Sequence, residues 1–160
     1  MPPGTAVITG ASTGIGKSLA LQLSDEGYNV VIVARSNDKL KSIAEKIKVK
    51  GGSCLPIALD ISQHENIKIL KKNALDFGDI SVVVNNAGMG KFSKIEDVIL
   101  EDWNVHLDLN LRAAFFVSQA FIPQMKEKQN GTLVFINSVS GKMGYAYSAA
   151  YVASKYGLKG

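Results

Sequence analysis

The stretch TGASTGIG, residues 9–16, follows the apolar run TAVI (5–8) and leads into a segment where Ile15, Leu19 and Leu23 recur every four residues. An unbroken, β-branched apolar run suits a strand covered on both faces, and the fourfold spacing suits one face of a helix. The octapeptide therefore reads as a turn from a buried strand into a helix. Glycines at 10, 14 and 16 let other groups approach the backbone closely, and a helix N-terminus offers unpaired amides with the positive end of its dipole. Such a turn is where the pyrophosphate of a dinucleotide is expected to bind.

Working outward, the same alternation continues. NVVIVA (29–34), ISVVVN (80–85) and TLVFIN (132–137) are further continuously apolar runs of strand length. A fifth candidate, SCLPIALD (53–60), carries Pro56, which has no amide to donate and belongs at a sheet edge. Between the strands, Leu40, Ile43 and Ile47 mark a second helix and Ile67, Leu70, Ala74 and Phe77 a third. These three helices end near Gly27, Gly51 and Gly78. A fourth helix is expected from about Glu101 to Lys128. Its segment VHLDLNLRAAFFVSQAFI (105–122) is apolar around much of its circumference, which implies burial on two sides, against the sheet and against a partner subunit or covering element. The alternation predicts one α/β domain over residues 1–160, a doubly wound parallel sheet in the order 3-2-1-4-5 with the Pro56 strand at an edge.

Composition excludes several classes. The chain has 160 residues, 46% of them hydrophobic and 20% charged, which is ordinary for a globular domain. Its formal charge of +4 comes largely from lysines spread at helical spacing through NDKLKSIAEKIKVK and KILKKNALDF, so it reads as solvated helix faces, with no nucleic-acid partner. Cys54 is the sole cysteine, which rules out an intrachain disulfide, and no Cys/His cluster has metal-ligand spacing. No apolar stretch is long enough to span a bilayer and no export signal is visible, so a cytoplasmic location is expected.

The glycine spacing is not that of GxGxxG. TGxxxGIG resembles the short-chain dehydrogenase/reductase family, specifically its compact, non-extended subtype; the extended subtype would want glycine at Thr13. The resemblance covers essentially the whole chain. It implies a Rossmann fold and cofactor contacts from Gly10, Ser12, Thr13, Gly14, Ile15 and Gly16. About twenty residues on, the position that carries an acid in NAD-selective dinucleotide folds is Ala34, followed by Arg35 and Ser36. A guanidinium and a hydroxyl suit a 2′-phosphate, so NADP(H) is favoured over NAD(H). A departure is Thr13, where many NADP-preferring relatives carry a basic residue. LDIS places Asp60 where the family contacts the adenine ring, and NNAG places Asn86, Ala87 and Gly88 beside the cofactor ribose.

Near the end of the chain, YVASK puts Tyr151 and Lys155 one helical turn apart. That pair alone proves nothing, but Ser138 precedes Tyr151 by thirteen residues and Asn110 lies in the long fourth helix. The four match the family's Asn, Ser, Tyr, Lys tetrad in order and spacing. The resemblance implies that Tyr151 is general acid/base, that Lys155 lowers its pKa and binds the nicotinamide ribose, that Ser138 orients the carbonyl or alcohol oxygen, and that Asn110 holds a water. The electrostatics are reasonable. A phenol ionising near 10 must come down about three units, or about 4 kcal/mol, to work near neutrality, and an ammonium about 5 Å away supplies roughly 3 kcal/mol at an effective dielectric of 20. Ser140 is expected on the opposite strand face. His106 has no metal or nucleophile partner in the sequence and reads as packing or solvent-facing, and His64 reads as surface at a helix start. Tyr145, Tyr147 and MGKFSK (89–94) could border the substrate or simply pack as loops.

The expected activity is interconversion of a ketone or aldehyde with an alcohol by hydride transfer. The alternatives are a non-catalytic dinucleotide-binding fragment and an NADP-sensing module, and the latter would be expected to lose a tetrad member. The family's compact members are longer, so the C-terminal strands and the substrate lid are expected to be missing, with the fifth strand left as an apolar edge. Family resemblance also implies a homodimer or homotetramer for the intact protein.

Overall fold

The computed structural model describes residues 3–160. Its five strands, β1 (Thr5–Thr9), β2 (Asn29–Ala34), β3 (Cys54–Ala58), β4 (Ile80–Asn85) and β5 (Thr132–Phe135), form one sheet in the order β3-β2-β1-β4-β5, with every neighbouring pair parallel. Helices α1 (Gly14–Asp25), α2 (Asn37–Val49), α3 (His64–Phe77) and α5 (Ala113–Lys128) cover its two faces; α4 (Leu100–Leu107) and α6 (Ala149–Lys159) complete the set.

Alternation along the strands divides the core. In β1, Ala6 and Ile8 join Val30 and Ile32 of β2 against Ala20 of α1 and Leu40, Ile43 and Ile47 of α2. Val7 faces the other way, with Val31, Val33 and Val83, against Leu70 and Ala74 of α3 and Val117 and Phe121 of α5. Because both faces are covered, the middle positions of β1 and β2 are apolar on both sides, as are those of β4 apart from Ser81. Burying a side chain the size of Leu70 or Phe121 contributes about 1.5–3 kcal/mol, so truncating either is the kind of change this fold tolerates least. Pro56 lies in β3, an edge strand, where its missing donor costs no ladder bond.

Two expectations about local structure are corrected. The single helix expected over Glu101–Lys128 is three consecutive segments: α4, a π-helical turn at Asp108–Arg112, and α5. The wider turn re-aims the buried face. In α5 that face is apolar (Ala113, Val117, Phe121, Met125) and meets the sheet, whereas ahead of it His106 and Asn110 are buried and meet a polar loop. Burial of α5 on two sides is not met within the chain: Phe115, which shares a surface pocket with Leu133 and Phe135 of β5, is 59% exposed. Second, the strand expected to reach Ser138 stops at Phe135, and Ser138 instead caps a 3-10 turn at Val139–Gly141. At the edge strand β5, Thr132 and Phe135 are exposed.

Among the described residues, no helix is long and apolar enough to cross a membrane, and no group of three or more His, Cys, Asp or Glu is placed to hold a metal ion.

Candidate active site

The glycine turn is fastened from beneath. Thr9 Oγ1 accepts from the Asn86 and Ala87 N–H groups at 3.1 and 3.0 Å, and donates to the Val84 carbonyl. The Asn86 amide donates to the carbonyls of Thr9 (2.9 Å) and Gly10 (3.1 Å). The TGxxxGIG and NNAG segments are therefore one hydrogen-bonded unit at the carboxyl ends of β1 and β4. Gly10 has φ +65°, and a Cβ there would lie 2.7 Å from Ala87 Cα, so only glycine fits. Gly16 is buried behind the turn, where a Cβ would overlap the Asn86 amide and the Gly10 carbonyl; its function is close packing, and it lines neither of the two cavities described below.

Two cavities meet at this unit and share Gly10, Thr13, Ala87 and Gly88 as walls. The larger, about 620 Å³, extends over the ends of β2 and β3, where Arg35, Ser36, Lys39 and Asp60 line it, with Ser12 on the glycine turn. Asp60 Oδ1 accepts from the Ser62 N–H and hydroxyl, at 3.0 and 2.7 Å, which fixes the loop after β3. Two cations, a hydroxyl and the start of a 13-residue helix at this end form a donor set suited to a phosphate, while Gly14 and Ile15 open α1 at the smaller cavity. The residues present fit a dinucleotide with an additional phosphate on its adenosine side.

The smaller cavity, about 380 Å³, runs toward Tyr151 and Lys155 of α6, past Asn86 and Met89. Lys155 is 5% exposed, and its ammonium donates to the Ile136 carbonyl at 2.8 Å and lies 5.9 Å from the centre of the Tyr151 ring. Burial holds the Lys155 pKa below the usual lysine value. Asn110 is buried. Its amide donates to Met89 O (2.9 Å) and Ser154 Oγ (3.0 Å), and its Oδ1 accepts from Met89 N–H (2.8 Å). Ser154 Oγ in turn donates to Tyr151 O at 2.7 Å, so Asn110 is tied both to α6 and to the loop after β4. Both amide hydrogens of Asn110 are thereby spent within the protein. Ser138 is half-buried and lies outside the walls of this cavity; its Oγ accepts from Ser140 N–H at 3.1 Å and its own hydrogen stays free to donate. Ser140 is buried in the 3-10 turn, not on a strand face.

Three features escaped the sequence reading. Lys39 joins Arg35 because α2 begins at Asn37 and returns its third residue to the same wall; a Lys two residues into a helix after a strand-end Arg was the available signal. Thr9 was read only as the first residue of the turn, and nothing in the sequence announces its hydroxyl as the clasp. His106, expected to pack or to face solvent, is 1% exposed and hydrogen-bonded: Nε2 accepts from Lys91 N–H at 2.9 Å. His64 opens α3 and is exposed as expected, with its ring 4.5 Å from that of Phe116.

Comparison with known proteins agrees with this geometry. A family profile described as short chain dehydrogenase matches residues 4–160. The chain is 38% identical over 158 residues to the 3-oxoacyl-[acyl-carrier-protein] reductase FabG of Staphylococcus epidermidis and 37% identical to that of Staphylococcus aureus; these matches cover 98% of the chain but only 65% and 64% of the relatives. Among solved structures, a metagenomic short-chain oxidoreductase in complex with NADP superposes with a TM-score of 0.95 at 36% identity, covering 99% of this chain and 72% of that one. An alcohol dehydrogenase from the archaeon Thermococcus sibiricus, complexed with 5-hydroxy-NADP, gives 0.93 at 33% identity, covering 97% and 66%. With a family match across nearly its whole length and the same parallel sheet around the glycine turn, the chain belongs to the short-chain dehydrogenase family.

Proposed function

We propose that the protein is an NADP(H)-dependent oxidoreductase that interconverts a ketone or aldehyde with an alcohol, Tyr151 serving as general acid/base. The observation that carries this reading is the joining of two cavities through one glycine turn, with Arg35 and Lys39 at one end and Tyr151 and Lys155 at the other. The bound nicotinamide supplies the hydride for reduction and accepts it in oxidation. Everything else falls to side chains. The Tyr151 hydroxyl protonates the alkoxide as it forms and takes the proton back in the reverse direction. The Lys155 ammonium stabilises the phenolate left behind and has two hydrogens beyond the one given to Ile136, enough for ribose hydroxyls. Ser138 donates its free hydroxyl hydrogen to the substrate oxygen, helping to hold developing negative charge. Asn110 fixes the distance between α6 and the loop after β4, and the remaining lone pair of its Oδ1 is the place for a bound water.

Arg35, Ser36 and Lys39, with alanine at the position where an acid would repel a 2′-phosphate, support NADP(H) over NAD(H). The NADP in the two structural relatives agrees. A cytoplasmic location is supported by the free Cys54, and a homodimer or homotetramer by the exposed Phe115 on α5. The test is a steady-state screen of the full-length protein against ketones and aldehydes with NADPH and with NADH. Turnover with NADPH at the higher kcat/KM is expected. NADPH binding without turnover across the panel would favour the dinucleotide-sensing alternative.

A further inference from the structure

We propose that His106 is a positioning residue for the Tyr151 centre: its imidazole holds the loop after β4 so that Phe92 packs edge-on against the Tyr151 ring. The effect on turnover rests on the oxidoreductase reading; the geometry does not.

His106 is among the largest fully buried side chains, and it is polar, so its ring nitrogens need partners. Since Lys91 contributes a backbone N–H, Nε2 can only accept. The ring hydrogen is therefore on Nδ1, which donates to the Asp102 carbonyl at 2.6 Å. The tautomer is thus set by the contacts, and both nitrogens are used. A second tie joins the same two elements, the Lys91 ammonium meeting the Asp102 carboxylate at 2.7 Å. One helical turn further on, Asn110 grips Met89 through both its N–H and its carbonyl. His106 and Asn110 thus hold backbone two residues apart in one extended stretch, Met89 and Lys91.

The next residue shows what the hold is for. The Phe92 ring centre lies 5.7 Å from that of Tyr151 at an interplanar angle of 73°, and the His106 ring lies 6.3 Å from it at 71°. Two edge-on rings therefore flank the Tyr151 ring, and one of them is on the loop that the other fixes. Gly90 makes the approach possible, since a Cβ there would lie 2.9 Å from Phe92 Cζ and 3.5 Å from Tyr151 Cδ2. Phe92 itself is 61% exposed, so its position depends on the backbone that carries it, which is held at Lys91 by His106 and at Ser93 by the Tyr147 carbonyl. The ring assigned the proton transfer is thus flanked by a loop that the imidazole acceptor anchors at Lys91, next to Phe92, beside the hold of Asn110 on Met89. Misplacing a reacting group by an ångström can cost about 100-fold in rate.

The test compares His106→Leu, which keeps much of the volume but removes the acceptor, with His106→Gln, whose amide oxygen reaches close to the position of Nε2. In the full-length protein, His106→Leu is expected to lower kcat by about 10-fold or more, to leave the NADPH dissociation constant within about 2-fold, and to speed amide hydrogen exchange at Lys91 and Phe92. His106→Gln is expected to restore most of both. Unchanged kcat and unchanged Lys91 exchange in His106→Leu would overturn the proposal, as would a glutamine variant no better than leucine. Should His106→Leu fail to fold, ring-nitrogen NMR of the wild-type protein decides: a hydrogen on Nε2 contradicts the proposal, and one on Nδ1 with Nε2 accepting supports it. Absence of wild-type turnover would remove the oxidoreductase reading and the catalytic part of this one, while amide exchange would still report on the contact.

Discussion

The glycine turn after β1 and the segment leading into α6 both use left-handed backbone near Tyr151, and they are built in opposite ways. In the turn, the left-handed positions are glycines, with φ +65° at Gly10 and +53° at Gly14, and behind them Thr9 and Asn86 close a buried set of hydrogen bonds. In the segment before α6, the left-handed residue is Tyr147, with φ +64°, and its neighbours are solvent-facing: Met143 is 54%, Tyr145 46% and Tyr147 60% exposed. A single backbone bond, Ser93 N–H to Tyr147 O at 2.9 Å, joins that segment to the loop after β4. At Gly10 the fold leaves no room for a side chain, whereas the segment before α6 presents large exposed side chains on little support.

The sharpest way to break this contrast is Gly10→Ala. The new Cβ meets Ala87 Cα at 2.7 Å in a backbone conformation unfavourable to alanine, and a stability loss of about 2–5 kcal/mol is expected by chemical denaturation. Asn86→Leu should follow at about 2–3 kcal/mol, since it removes the donors to two carbonyls and cannot reproduce them. Replacing Arg35 and Lys39 together by Ala should weaken NADPH by about 10- to 100-fold and leave NADH nearly unchanged, measured by fluorescence titration. Tyr147→Gly should be the mildest, shifting stability by no more than about 1 kcal/mol because relief of the left-handed backbone offsets the added freedom of the unfolded chain, while KM for the carbonyl substrate changes.

A pH experiment addresses the join between the two regions. Burial lowers the Lys155 pKa in the folded protein, so between the folded and unfolded values the unfolded chain binds more protons and stability rises with pH. Lys155→Met should remove that contribution: the wild type gains stability relative to the variant as pH climbs toward the ordinary lysine range and loses it again on return. Cys54 gives a parallel control far from the site. Its thiol is pushed up to about 12 by burial, so native protein should react slowly with thiol reagents at pH 8, and unfolded protein quickly.

Much of this was legible in the sequence, for definite reasons. Continuous apolar runs identify strands covered on both faces, and Pro56 identifies an edge, so the sheet order followed. The glycine turn was legible from its place between a buried strand and a helix, whereas Asn86, Tyr151 and Lys155 were expected from the family resemblance; all of them line the smaller cavity. The π-helical turn at Asp108–Arg112 was not, because one residue of extra helical period leaves no compositional trace among apolar neighbours. His106 takes the packed one of the two places expected for it, and only its hydrogen bond was hidden, because the partner is a backbone amide fifteen residues away. Ser138 was placed at the end of a strand because it directly follows the run TLVFIN; the strand ends three residues earlier, at Phe135, and Ser138 Oγ caps the 3-10 turn that follows it.

The most direct test of the account is Tyr151→Phe in the full-length protein, with turnover and NADPH affinity measured on the same preparation. The loss of one hydroxyl leaves the ring contacts to Phe92 and His106 possible, so the variant should fold and bind NADPH within about 2-fold of wild type while kcat falls by about 100- to 10,000-fold. A variant that retains turnover would contradict the assignment of Tyr151 as the proton donor and, with it, the proposed mechanism.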